Sequence, residues 1–236
     1  MAGPVTGLPV GLNDGRVETA DRPIVRPSDP WPRQVVRPGI QGATAISTHR
    51  RVFDARFATR WFTGTGLDVG GGDDSLALYH DLFPRIEKVI VYDMPQGDAQ
   101  ILDNVDTSSF DFLHSSHCLE HVRDPYEALG NWIRVVKPGG FLVICVPDED
   151  LYEQGTWPSR FNSDHKTSWT IDKETSWSPV SINVCDLVRR FRAVARPVKI
   201  ELIDHSYRYN LQGHGFDQTR TPLAESAIEF VLRKLE

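Results

Sequence analysis

Gly66-Leu67-Asp68-Val69-Gly70-Gly71-Gly72-Asp73-Asp74-Ser75 is the stretch on which the fold reading turns. A short apolar strand, Gly66–Val69, runs into three consecutive glycines, and a helical pattern follows from Ser75 to Phe83. Glycines let a backbone approach a ligand closely, because positive φ costs them little. Alone, such a turn selects no single ligand, since dinucleotide enzymes, nucleotide binders and plain tight turns all use it. Its surroundings are more telling. Lys88–Tyr92 reads as a second strand, and Asp93 at its end is an acid suited to hydrogen bonding two ribose hydroxyls.

Outward from there, strands and helices alternate, which implies a mostly parallel sheet. Phe110–Leu113 reads as a strand, Pro125–Val136 as a helix and Phe141–Val146 as a buried strand. A helix around Val184–Phe191 and a strand at Val198–Asp204 follow. Ala227–Leu232 reads as an antiparallel last strand, with a helix as the alternative. Upstream, Ser47–Trp61 carries a helical pattern, with Val52, Phe53, Phe57 and Trp61 at helical spacing. Residues 1–42 are rich in Pro, Gly and Arg and show neither period, so they form an arm, and 43–236 form one domain. The arm is either a disordered tail or a segment draped over the site or a partner subunit.

Taken in order, the glycine turn, the strand ending in Asp93, Gly97-Asp98-Ala99, Ser109-Phe110-Asp111-Phe112-Leu113 and Val136-Lys137-Pro138-Gly139-Gly140-Phe141 resemble the successive motifs of the class I S-adenosylmethionine-dependent methyltransferases. The resemblance covers roughly residues 64–148. It implies a Rossmann-like α/β fold with a seven-stranded type of sheet whose last strand is antiparallel. It also implies a cofactor site. Gly70 and Gly72 would face the methionine moiety with Gly71 between them, Asp68 would support the turn and the amino group, and Asp93 would hold the ribose. Asp98 and Ala99 would meet the adenine edge, and Met94 and Ser115 complete the set. Two features depart from the pattern. Asp74 stands where a third small residue is usual, which widens the turn. The stretch from Asp93 to Gly97 is too short for the usual intervening helix and strand, so the sheet should be trimmed near its second and third strands. A Rossmann dehydrogenase is the competing reading, and the Lys-Pro-Gly-Gly turn into a strand disfavours it.

Leu113-His114-Ser115-Ser116-His117-Cys118-Leu119-Glu120-His121-Val122 begins where a strand ends. If a helix runs from Ser116, positions 117, 120 and 121 share a face and bring two imidazoles and a carboxylate together. Downstream lie Arg160-Phe161-Asn162-Ser163-Asp164-His165-Lys166, then Trp169-Thr170. This pairing is similar to the metal-dependent methyltransferases that modify the 3′-terminal ribose of small RNAs, and its first half resembles ubiquinone-pathway O-methyltransferases. The resemblance implies metal ligands at His117, Glu120, His121 and His165, with His117 replacing a carboxylate and shifting preference from Mg²⁺ toward Mn²⁺ or another transition metal. His117, His121 and His165 are also the candidate catalytic groups, one of them a general base. The alternative is metal-free, with Glu120 and His121 bonded at the helix start.

Tyr152, Trp157, Arg160, Asn162 and Trp169 mark 147–180 as a substrate-covering insertion, whose mixture of aromatic faces with polar groups suits a saccharide. The formal net charge of −6 disfavours nucleic acid, which wants a basic track. Cys118, Cys145 and Cys185 lack metal-ligand spacing and cannot all pair, which fits a reducing, cytoplasmic setting. No apolar run approaches a membrane span, and no leader is evident. The leading expectation is therefore an O-methyltransferase for a saccharide or glycosylated metabolite, possible as a homodimer. Its rivals are terminal-ribose methylation of RNA, metal-independent methylation of a small molecule, and an inert binding module on the same fold.

Overall fold

The computed structural model describes residues 23–29, 42–220 and 224–236. Three α-helices and eight strands define the frame: α1 (Ala43–Arg51), β1 (Gly64–Val69), β2 (Ile86–Tyr92), β3 (Phe110–Ser116), α2 (Pro125–Val135), β4 (Val136–Pro147), β5 (Ser168–Thr170), β6 (Ser181–Asn183), α3 (Val184–Arg190), β7 (Ala195–Ile203) and β8 (Ala227–Lys234). The main sheet runs β2-β1-β3-β4-β8-β7. β2, β1, β3 and β4 are parallel, and β8 enters antiparallel between β4 and β7. The antiparallel reading of the last segment holds. Among the described residues the sheet has six strands, and β2 is one of its edges, as the short Asp93–Gly97 stretch implies.

Both faces of the sheet are buried, so alternate residues of each strand serve different cores. Leu142, Ile144 and Val146 of β4 pack with Leu129 and Trp132 of α2. Phe141 and Val143 face the other way, toward Phe57, Phe62, Phe83 and Phe112. In that second core the Phe62 ring stacks at tilted or edge angles on Phe57, Phe83 and Phe112, with centroids 5.0–5.4 Å apart. α2 starts where its sequence says it should: Asp124 accepts from the backbone N–H groups of Tyr126 and Glu127, and Pro125 takes the first helical position.

Two expected helices are shorter than their patterns suggest. The Ser47–Trp61 pattern splits into α1 and a separate π-type turn, Phe57–Trp61, leaving Phe53 exposed between them. Ser75 caps only 3-10 turns over Leu76–Leu82. The helix expected from Ser116 is absent. β3 continues through Ser116, His117 takes a left-handed φ of +54°, and Leu119–His121 is a single 3-10 turn.

Segment 147–180 is organised around Glu149, which is fully buried and accepts from Lys173, Ser176 and Ser181. The short parallel pair β5–β6 lies in and beside it. Of the expected arm, residues 23–29 dock beside β2: Val25 N donates to Asn104 O, and Lys88 Nζ donates to Pro27 O. The rest of 1–42, apart from Gly42, lies outside the described residues. No helix among the described residues is long and apolar enough to cross a membrane.

Candidate active site

The carboxyl ends of β1, β2 and β3 meet at the glycine turn, the edge where open α/β sheets take their ligands. Gly70 N donates to Tyr92 O at 2.8 Å and draws the turn against β2. Gly70 has φ +77°, and a Cβ there would lie 2.6 Å from Cys118 Sγ, so this glycine makes room for a protein side chain. Gly72, at φ +47°, is different. A Cβ there would meet only Asp93 Oδ2, at 3.3 Å, so this glycine lets the turn lie close to the carboxylate. Asp93 itself is half-buried, and its Oδ1 accepts from Met94 N. The Met94 side chain is exposed.

Other expected cofactor residues are already engaged by the protein. Asp68 is fully buried, and its Oδ2 accepts from Ser75 Oγ at 2.6 Å and Leu76 N at 2.7 Å. Its Oδ1 lies 2.6 Å from His114 Nδ1. Burial alone would raise its pKa, yet the His114 ring and these donors hold the carboxyl below the usual range. The turn-supporting half of its expected role is visible, whereas both oxygens are taken by protein groups rather than left for a ligand's amino group. Asp98 Oδ2 accepts from Arg123 Nη2, Ala99 O accepts from Trp132 Nε1, and Ser115 Oγ donates to Val69 O. These contacts brace the walls beside the glycine turn.

Two devices tie α1 to this turn. Asp74, half-buried, accepts from Thr44 N and Ala45 N and so caps α1 from another element. At the other end Arg51 is fully buried, and its Nη1 lies 2.9 Å from His114 Nε2. Arginine can only donate, so Nε2 accepts and the proton on Nδ1 is the one shared with Asp68. Arg51 Nε also donates to Glu229 Oε2 of β8 at 2.8 Å, and Arg50 and Lys199 converge on the same carboxylate.

Beyond the turn lies a cavity of 340 Å³, walled by Gly42, by Ala43 and Ile46 of α1, and by Tyr152, Asn162 and the histidine cluster. Glu120, His121 and His165 place one ligand atom each within 4.8 Å of one another. Glu120 is fully buried, and neither of its carboxylate oxygens has a hydrogen-bond partner. Burying a charged group is costly unless it is compensated, and among the described residues only imidazole rings face this one, so a cation fits beside it. His121 Nε2 and His165 Nε2 stand 4.0 and 3.9 Å from Glu120 Oε1. The residues present therefore fit a divalent cation held by two imidazoles and a carboxylate, a set that leaves positions for other oxygens.

His117, expected as a fourth ligand, is not among the three residues whose ligand atoms all lie within 4.8 Å of one another, although it touches Glu120. Its left-handed backbone turns Nδ1 to 3.3 Å from Glu120 Oε1. Burial disfavours its charge, but contacts with Cys145 and Glu120 outweigh that and push its pKa up to about 10. Among the expected substrate residues, Tyr152 and Asn162 line the cavity. Trp169 does not: it is fully buried in the core with α2 and α3, so it packs rather than touches an acceptor. Arg160 is exposed, with Nη2 donating to Thr156 Oγ1, and neither it nor Trp157 lines the cavity. Sequence reasoning missed Asp217, Arg220 and Glu225 on the far wall, which lie after β7 and carry no motif. It also missed Glu153, buried behind His165.

Fold and turn together define a class I S-adenosylmethionine-dependent methyltransferase. A methyltransferase-domain family model matches residues 51–178, more than half of the chain, and the chain belongs to that family. The fold is similar to that of a SAM-dependent methyltransferase from Archaeoglobus fulgidus (TM-score 0.53, 15% identity, 82% of this chain and 95% of that one). It is similar also to the YcgJ protein from Bacillus subtilis (TM-score 0.52, 13% identity, 80% of this chain and 99% of that one). Over 100 residues, 37% of this chain, it is 34% identical to an uncharacterized 37.1 kDa protein in transposon TN4556 of Streptomyces fradiae. The match spans 29% of that relative's length.

Proposed function

We propose that this methyltransferase transfers the methyl group to a hydroxyl of a saccharide or glycosylated metabolite, with a divalent cation held by Glu120, His121 and His165. The observation that carries the reading is Glu120, a buried carboxylate with two unpartnered oxygens faced by two imidazole nitrogens. A divalent cation held by these three residues would supply Lewis acidity, lowering the pKa of a sugar hydroxyl and helping to position it. Such help is what a sugar hydroxyl needs, because it is protonated and weakly nucleophilic at neutral pH. Two adjacent hydroxyls would complete the coordination that three protein ligands leave open.

The chain's own residues divide the remaining work. Gly72 and Asp93 cradle the methyl donor's nucleoside, and Ser75 and Asp68 keep the turn in shape. Tyr152 offers a ring face to the apolar side of a sugar, and Asn162 offers an amide to its hydroxyls. His117 stands outside the trio on the cavity wall, with Nδ1 facing Glu120. A cavity of 340 Å³ suits one or two sugar rings rather than a duplex, and the acidic net charge agrees.

The test is methyl transfer to a panel of saccharides and glycosides, before and after metal removal verified by elemental analysis. Turnover should vanish on removal, return with Mn²⁺, and change little between low and moderate salt. Full activity of verified metal-free enzyme on its best acceptor would reject the metal, and a steep salt dependence would point to RNA instead.

A further inference from the structure

We infer that Glu153 is a positioning residue for the cation site, a buried carboxylate that sets the orientation and basicity of His165; the inference rests on the metal reading above. Glu153 ends the π-type turn Glu149–Glu153 and is fully shielded from solvent. Its Oε1 lies 2.7 Å from His165 Nδ1. An ionised carboxylate only accepts, so Nδ1 carries the proton and the lone pair is left on Nε2, the nitrogen aimed at Glu120. The ring cannot easily turn away. Tyr152 packs against it with centroids 5.3 Å apart, and His121 meets it edge-on at 5.0 Å.

His121 repeats the arrangement from the outer side. Its Nδ1 lies 2.8 Å from Asp164 Oδ2, and its Nε2 points to the same Glu120 oxygen. Both histidines of the trio therefore have one nitrogen tied to a carboxylate and the other facing a single buried oxygen. Carboxylates placed in this way behind metal-binding histidines raise ligand basicity and fix the tautomer. The two are unequal. Asp164 is 70% exposed and screened by water, while Glu153 is buried. Charge adds a second reason. Glu120 and Glu153 flank His165, and the other Glu153 oxygen, like both of Glu120, lacks a hydrogen-bond partner. Two buried carboxylates on either side of one ring gather negative charge that a dication would offset.

The test is calorimetric titration of Mn²⁺ into metal-free protein saturated with S-adenosylhomocysteine, for wild type, Glu153→Gln and Asp164→Asn. The positioning role requires a ten- to hundredfold weaker Mn²⁺ affinity in Glu153→Gln and a smaller loss in Asp164→Asn. S-adenosylhomocysteine affinity of Glu153→Gln should stay at the wild-type value. The visible spectrum of bound Co²⁺ should shift in Glu153→Gln, since the basicity of one ligand changes. If Glu153→Gln does not fold, Glu153→Asp, which keeps the charge but withdraws it by one methylene, must show the same weakening. Unchanged Mn²⁺ affinity overturns the inference and leaves the metal reading standing. A loss matched by weaker S-adenosylhomocysteine binding overturns it too, because that is a structural effect. No Mn²⁺ binding by the wild type overturns both.

Discussion

Glu229→Gln keeps the shape of a buried side chain and removes a charge on which three cations converge. In the folded protein Arg50, Arg51 and Lys199 all donate to this fully buried carboxylate. Burial alone would raise its pKa, but Arg51, Arg50 and Lys199 more than reverse that and hold it far below the usual glutamate value of 4.5. After the substitution Arg50 still has Glu225 and Lys199 still has Glu201. The loss falls on Arg51, which is fully buried and would keep only uncharged acceptors, His114 and the substituted amide oxygen. Leaving one partner of a buried pair uncompensated costs about 3–5 kcal/mol. That is a large part of a total stability of about 5–15 kcal/mol. At roughly 2–4 °C per kcal/mol for a chain of this size, the melting temperature should fall by about 6–20 °C. The pH dependence has a definite sign. A depressed carboxyl contributes stability above its unfolded pKa and loses it as pH falls toward the folded value, so wild type and variant should converge on acidification. Denaturant unfolding at pH 7 and through the acid range reads both effects. A difference below about 1 kcal/mol at neutral pH, or one that does not narrow in acid, would refute the reasoning.

Two smaller perturbations probe the turn. Asp93→Ala removes the carboxylate facing Gly72 and should weaken S-adenosylhomocysteine binding by roughly 10- to 150-fold, the worth of a charge-assisted hydrogen bond; unaltered affinity in calorimetry would move the ribose elsewhere. Asp74→Ala removes the cap from Thr44 N and Ala45 N and should cost about 1–2 kcal/mol in denaturant unfolding; no loss would mean that water replaces the cap at no cost.

What could be read from sequence was local. β1, β2, β4 and β8 are apolar runs between clear turn signals, and α2 announces itself through Asp124-Pro125. The histidine cluster was legible as a list of residues but not as a geometry. Spacing put 117, 120 and 121 on a helical face, whereas the backbone at His117 turns left-handed and only three residues of 3-10 turn follow. The contact between His117 and Glu120 survives because three-residue spacing brings neighbours together in a tight turn as well. Trp169 was misplaced because an aromatic in a polar stretch looks the same whether its ring faces a ligand or a core. Glu153 and Glu229 carried no signal. Their partners lie 12 and 178 residues away, and no periodicity links residues that meet only after the sheet has formed.

The place of β8 in the sheet bears on how the chain is made. It is the last strand in sequence yet lies between β4 and β7, so a chain emerging from the ribosome cannot close its sheet until residues 227–234 are free. Arg51 is synthesised 178 residues before Glu229. At translation rates of about 5–20 residues per second it waits roughly 10–40 s for its counter-charge. During that interval β4, once made, presents an open apolar edge, and α1 lacks its anchor on β8. The nascent protein should depend on chaperones over that window far more than the finished one.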